Sequence, residues 1–190
     1  MSAQTEQRRQ AATALRPPDP QSFRGALGRF VTGVSVVAAR HADIPHASTA
    51  NAFSALSLDP PLVLVCLRRG SRLLDVIVRA SAFAVNFLHE DQLHLAAHFA
   101  NPSRPLGDAG FDGIPWTASP LGAPLLAGAV AHLDCSLRST ADGGDHVICI
   151  GKVEGLDCQP GRPLVFVDGF FARVGEWVEE ASVPEAWPWI

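Results

Sequence analysis

Periodicity and turn chemistry along the 190 residues predict a mainly β protein, an antiparallel barrel with a few peripheral helices. Short β-branched and aromatic runs outnumber helical stretches. The runs at 130–138, 146–152 and 163–167 follow one another without helical crossovers, which disfavours a doubly wound parallel sheet. Gly143-Gly144 lies at the centre of 130–153 and signals a hairpin.

Residues 1–19 read as a disordered lead ending in the Pro17, Pro18, Pro20 cluster. From Gln21 to Val31, Phe23, Ala26, Leu27 and Phe30 have helical spacing, Pro20 suits the first turn, and Gly33 ends the run. Val34–Ala39, Pro61–Leu67 and Ala82–Leu88 read as strands. Between the last two, Ser71 caps a helix to Ala80 with Leu73, Leu74, Ile77 and Val78 on one face. A second helix is expected over about 90–100, turning Leu93, Ala96, Ala97 and Phe99–Ala100 to the core. Residues 101–124, rich in Gly and Pro, form a long connection with one short strand. One domain follows from the length. The tail from 175 to 190, with Trp177, Trp187 and Trp189, is either a partner contact or loose.

Composition narrows the function. With 47% hydrophobic and 18% charged residues, the chain can bury a sizeable core. A net charge of −4 argues against nonspecific nucleic-acid binding, which needs surplus Lys and Arg. The basic residues are fourteen Arg and the single Lys152, a composition that suits small anions or reflects codon bias. No window carries the roughly 18 apolar residues of a membrane span. Met1–Gln10 is polar with no apolar stretch behind it, so a cytoplasmic chain is expected, with Cys66, Cys135, Cys149 and Cys158 reduced.

There is no GxGxxG, P-loop, HExxH or GxSxG motif. Three polar clusters stand out instead. HASTANAFSALSLDPP (46–61) gathers Ser48, Thr49, Asn51, Ser54 and Ser57 beside an apolar strand, either as a polar connection or as a reader of a heteroaromatic edge or phosphate. Arg68-Arg69-Gly70-Ser71-Arg72 leads into a helix, as a solvated basic turn or an anion site at the helix N-terminus. Gly143-Gly144-Asp145-His146 puts a His beside a carboxylate at a hairpin mouth, as a surface pair or a proton donor. His94 and His98 have the i, i+4 spacing of a two-His metal pair, but no third ligand has a fixed spacing, and no metal is expected.

In order and spacing, these segments resemble the short-chain flavin reductases, the small NAD(P)H-dependent components of two-component flavin monooxygenases. The likeness covers about 20–174: FRGALGRFVTGVSVV (23–37), TANAFSALSLDPPLVLVC (49–66), FAVNFL (83–88), LAAHFA (95–100), GDH (144–146) with Gly151-Lys152-Val153, and PLVF with Gly169. It implies a split β-barrel homodimer binding FMN or FAD in a cleft at the subunit interface. Pro45, His46, Ala47, Ser48, Thr49, Asn51 and Ala52 would then line the isoalloxazine ring, and Cys66, Leu67 and Arg68 the ribityl chain and phosphate. Ser71, Arg72 and Leu73, with His98, would complete the phosphate end. Gly144, Asp145, His146 and Phe171 would meet the nicotinamide of NADH or NADPH, with His146 the candidate catalytic group.

Three positions depart from the family pattern. Ser71-Arg72-Leu73 stands where Ser-x-Thr or Ser-x-Ser is frequent, His98 where an Arg is common, and Phe171 where a Tyr is usual. The implied activity is hydride transfer from nicotinamide C4 to flavin N5, with reduced flavin passed to a separate monooxygenase. The alternative is a flavin-binding or electron-transfer module of the same fold without reductase activity. A plain interaction domain using the Trp tail is a third reading.

Overall fold

A computed structural model describes residues 17–176. The first sixteen residues of the expected lead, and the tail from 177 with its three tryptophans, lie outside the described residues.

The chain begins with helix α1, Pro20–Gly28. Its N-cap is Asp19, whose carboxylate accepts from the Gln21 and Ser22 amides at 2.9 and 3.0 Å. Strands β1 (Thr32–Gly33), β2 (Ser35–His41), β3 (Ile44–Ala50), β4 (Phe53–Leu58) and β5 (Pro61–Arg68) follow. Helix α2 (Arg72–Ala80) and strand β6 (Ala82–Phe87) come next, then helix α3 (Leu93–Ala100), a short 3-10 turn (Gly107–Phe111), and β7 (Trp116–Ala118) with β8 (Pro124–Leu126). The chain continues through β9 (Ala131–Gly143), β10 (His146–Cys158), β11 (Leu164–Val167) and β12 (Phe170–Arg173).

The main sheet has seven strands in the order β3-β2-β6-β9-β10-β5-β4, every pairing antiparallel. A three-stranded sheet, β1-β11-β12, and the β7-β8 pair flank it. The strands β3 and β4 are the two edges of the main sheet, yet only Asn51 and Ala52 separate them in sequence. Laid flat, six strand spacings would hold the edges about 29 Å apart. Three residue steps reach about 11 Å at most. The sheet therefore curls until its edges approach at this link.

Sequence and structure differ in the polar segment 46–61, which contains β3, the link and β4. The strand alternation of β3 is carried by Pro45 and Ala47, both buried, residues too small to register as a hydrophobic stripe. In α2, Leu73, Leu74 and Ile77 are buried as the spacing requires, but Val78 turns outward. In α3 the inward face is Gln92, Leu95, Ala96 and Phe99, so Leu93, Ala97 and Ala100 are exposed. Connection 101–124 holds the one short strand expected, β7, before β8 opens at Pro124, and β9 and β10 run to 13 residues each.

Strand β2 separates two cores. Val37 and Ala39 face a cluster with Val65, Phe83, Val85 and Cys135, covered by Leu73 and Ile77 of α2. Val36 and Ala38 face Leu88, Leu126 and Phe111 with Phe99 of α3. Burial pushes the Cys135 thiol up to about 12, and Cys149 likewise to about 11, so both stay protonated and inert at neutral pH. The buried Asn86 ties the layers together, donating to the Val36 and Pro124 carbonyls at 3.0 and 3.2 Å and accepting from the Leu126 amide at 2.8 Å.

Gly151 in β10 leaves room for the Phe83 ring: a Cβ there would stand 2.5 Å from Phe83 Cζ and 3.0 Å from Cys135 Cβ. Gly151→Ala is expected to destabilise the protein by about 1–3 kcal/mol. Pairing it with Phe83→Leu should recover part of the loss, measured as midpoints of urea unfolding.

Candidate functional site

The curled sheet brings together segments that are far apart in sequence. Ser48 and Thr49 from β3, Asn51 and Ala52 from the β3–β4 link, Cys66, Leu67 and Arg68 from β5, Ser71 and Leu73 from the start of α2, and His146 from β10 line one cavity of about 230 Å³. Its wall at Asn51, Ala52 and Cys66 is shared with a cavity of about 520 Å³ bounded by Leu27, Phe30, Phe53 and Phe166. Thr49 and Asn51 also border a cavity of about 180 Å³ reaching Phe166 and Phe171. The three spaces meet at the link.

The remaining expected residues lie around this centre. Pro45 and Ala47 are buried within the sheet and offer only backbone. His46 and Arg72 border a neighbouring cavity of about 490 Å³. His98 sets Nε2 against the Gly110 carbonyl at 2.8 Å. Gly144 and Asp145 form the two-residue turn between β9 and β10, with Gly144 at φ +78°.

Strand register decides which backbone groups face the cavity. Ser35, Val37 and Ala39 of β2 stand opposite Ala50, Ser48 and His46. Val34, one residue before β2, instead accepts through its carbonyl from the Leu88 amide at 3.0 Å on the β6 side. Successive residues of an antiparallel strand point their N–H and C=O to alternate sides. His46, Ser48 and Ala50 therefore bond to β2, while Ala47 and Thr49 present theirs to the open edge. An Arg104 guanidinium donating to the Ala47 carbonyl shows that edge in use. The Thr49 hydroxyl donates to the Ala96 carbonyl at 2.7 Å, which ties the edge strand to α3 and leaves the hydroxyl oxygen as an acceptor.

The cations cluster at one end. Ser71 caps α2, its Oγ accepting from the Leu74 amide at 3.4 Å, and the other first-turn amides point outward. Arg68 and Arg72 make no ion pair among the described residues. His46 is pushed down to about 4, first by burial and then by Arg104 and Arg72, so it is neutral at pH 7. At the hairpin mouth, the hydrogen bond from His146 holds the Asp145 carboxyl below the usual carboxylate range. The ionised carboxylate accepts from Nδ1–H at 2.8 Å, which fixes Nδ1 as the donor and orients the ring.

The roles of two arginines escaped the sequence reading. Arg69 locks the hairpin: its guanidinium binds Asp142 at 2.9 Å and the Gly144 carbonyl at 3.2 Å, and its amide donates to the Asp145 carbonyl at 2.9 Å. Arg104 leaves the Asn101-Pro-Ser turn after α3, its guanidinium also holding the Asn101 carbonyl and lying 5.9 Å from the Phe99 ring centre. The Asn-Pro turn is a legible signal, but nothing local says that the arginine reaches back to β3.

The buried Thr32 Oγ1, in a residue that borders the larger cavity, has no hydrogen-bond partner among the described residues. Apolar walls, an orphaned hydroxyl, edge-strand amides and cations at one end fit a flat heteroaromatic ring carrying an anionic tail.

Residues 27–175 match the family model described as a flavin reductase like domain. The chain belongs to the flavin reductase family. It is 40% identical over 179 residues to the reductase subunit of a flavin-dependent monooxygenase from Rhodococcus jostii (strain RHA1), covering 93% of this chain and 87% of that one. The crystal structure of the NADH:FAD oxidoreductase of Streptomyces globisporus superposes with a TM-score of 0.79 at 36% identity, covering 87% of this chain and 99% of that one. The flavin reductase component of a bacterial two-component tryptophan halogenase gives 0.78 at 37% identity, covering 84% and 100%.

Within this flavin reductase, Arg69→Ala should leave global stability within about 1 kcal/mol, since exposed ion pairs contribute little. Amide hydrogen exchange over 142–146 should nonetheless rise clearly, as read by mass spectrometry.

Proposed function

We propose that this chain reduces FMN or FAD with NADH or NADPH and passes the reduced flavin to a separate monooxygenase component. The observation that carries the reading is the single cavity joining the β3 edge, the α2 cap and His146, in a chain belonging to the flavin reductases. Flavin and nicotinamide supply the redox chemistry, a hydride passing from nicotinamide C4 to flavin N5. The Ala47 and Thr49 amides hold the ring's N1–C2=O edge and favour the negative charge that develops there. Arg68, Ser71 and the first-turn amides of α2 bind the phosphate. The ring orientation enforced by Asp145 aims His146 Nε2 at the nicotinamide, whose ring lies towards Phe171.

The working form in this reading is a homodimer of split barrels. Helix α1 buries none of its side chains, and a nine-residue helix is marginal alone in water. Phe30 and Phe170 are each 74% exposed, with Phe23, Leu27 and Val31 also open. Asp168 ties the two ends of this apolar surface together, its amide donating to the Gly28 carbonyl at 2.8 Å and its carboxylate pairing with Arg29 at 2.9 Å. A second copy seated there closes the larger cavity, which Leu27 and Phe30 border. No helix among the described residues is long and apolar enough to cross a membrane.

The decisive assay follows loss of reduced-nicotinamide absorbance with each donor and each free flavin. Many turnovers that require added flavin are expected. Retained yellow colour without turnover would favour the electron-transfer module instead. His146→Ala should raise KM for the nicotinamide severalfold with kcat little changed, and an unchanged KM would remove His146 from donor binding. Phe30→Arg should convert the dimer to monomer, measured by light scattering.

A further inference from the structure

The cavity of about 490 Å³ beside the flavin site has no part in the chemistry above. It lies between β3, α2 and the 3-10 turn, with Ile44, His46, Arg72, Asp75, Arg79 and Leu106 on its walls. We propose that it holds the adenosine monophosphate half of FAD, making this chain a reductase that binds FAD in preference to FMN. The proposal rests on the flavin reading and specifies its substrate.

The two cavities are adjacent by construction. Ser48 and His46 lie on the same face of β3, two residues and about 7 Å apart, the first bordering the flavin cavity and the second its neighbour. Along α2 the same division recurs: Ser71 and Leu73 border the flavin cavity, Arg72 the other. A ligand whose phosphate rests at Ser71 continues across Arg72 into the second space. FMN ends at that phosphate, whereas FAD continues as a pyrophosphate and an adenosine.

The lining is graded to match. Arg72 lies nearest the flavin site, and Arg104, held against the Ala47 carbonyl, approaches from the α3 side. Together they offer two cations to the second phosphate, with His46 between them uncharged and able to hydrogen-bond without adding charge. One turn further along α2, the Asp75 carboxylate would repel a phosphate and accept from ribose hydroxyls. Beyond it, Ile44 and Leu106 are 58% and 47% exposed, two open apolar faces suited to a purine. Arg79 ends the cavity, in reach of the base. The volume lies within the roughly 300–1,000 Å³ of small-ligand sites. His98 is committed to the Gly110 carbonyl, so the cation on this side arrives from Arg104 of the following turn.

The test is equilibrium titration of the full-length protein with FAD and FMN, followed by flavin fluorescence, with adenosine monophosphate as competitor. FAD should bind about tenfold or more tighter than FMN, and adenosine monophosphate should displace FAD but not FMN. Arg79→Glu, remote from the reacting ring, should weaken FAD several-fold and leave FMN unchanged. Equal affinities, with no competition by adenosine monophosphate, overturn the proposal while leaving the reductase reading intact. Failure of both flavins to bind removes the flavin reading and the proposal with it. The competition on unmodified protein needs no variant, so a folding defect in Arg79→Glu does not decide the outcome.

Discussion

The two-residue link Asn51-Ala52 between opposite edges of a seven-stranded sheet is the constraint on which the molecule is built. It compels the sheet to curl, since the chain at that point has no length with which to cross a flat one. The Cys66 amide donating to the Ala52 carbonyl at 2.9 Å anchors the link to β5. Curling has two consequences at once. It encloses a core lined by Val37, Val65, Phe83 and Cys149, and it places the open edge of β3 opposite the ends of β5 and β10, where the cavity forms. The site is thus the gap that the closure leaves.

An open strand edge is ordinarily a liability, because unpaired amides and carbonyls template further pairing. Here the edge is partly occupied. Thr49 is tied to α3 through its hydroxyl, and the Ala47 carbonyl is taken by Arg104, which leaves the Ala47 and Thr49 amides as donors on the edge beside the Thr49 carbonyl. Donors suit the carbonyl-rich edge of a flavin, and they gain strength from the apolar walls around them. Rigidity comes from the interior: β2 is buried on both faces, Asn86 spans the layers, and Gly151 lets Phe83 fill the centre.

Arg68 of β5 stands directly opposite His146 of β10, whose ring is oriented by an ionised Asp145 in a turn that Arg69 fixes, while Arg72 and the neutral His46 border the neighbouring cavity. The interior thiols remain protonated through desolvation and take no part.

Much of this was written locally. The α2 cap at Ser71, the tight turn before His146 and the apolar runs of β5 and β6 are short-range features, and sequence alone located them. The order of the polar clusters was also enough to suggest a flavin reductase. Strand β3 was invisible because alanine and proline carry its buried face, and Val78 and Leu93 were turned outward by packing that no helical period specifies. The role of Arg104 depends on a contact spanning 57 residues, and that of Arg69 on one spanning 73. Sequence thus fixes which residue types are available and what each short segment prefers, because those preferences act within a turn or a strand. Which of the residues share a cavity was decided by the curl of the sheet, a property of all seven strands together.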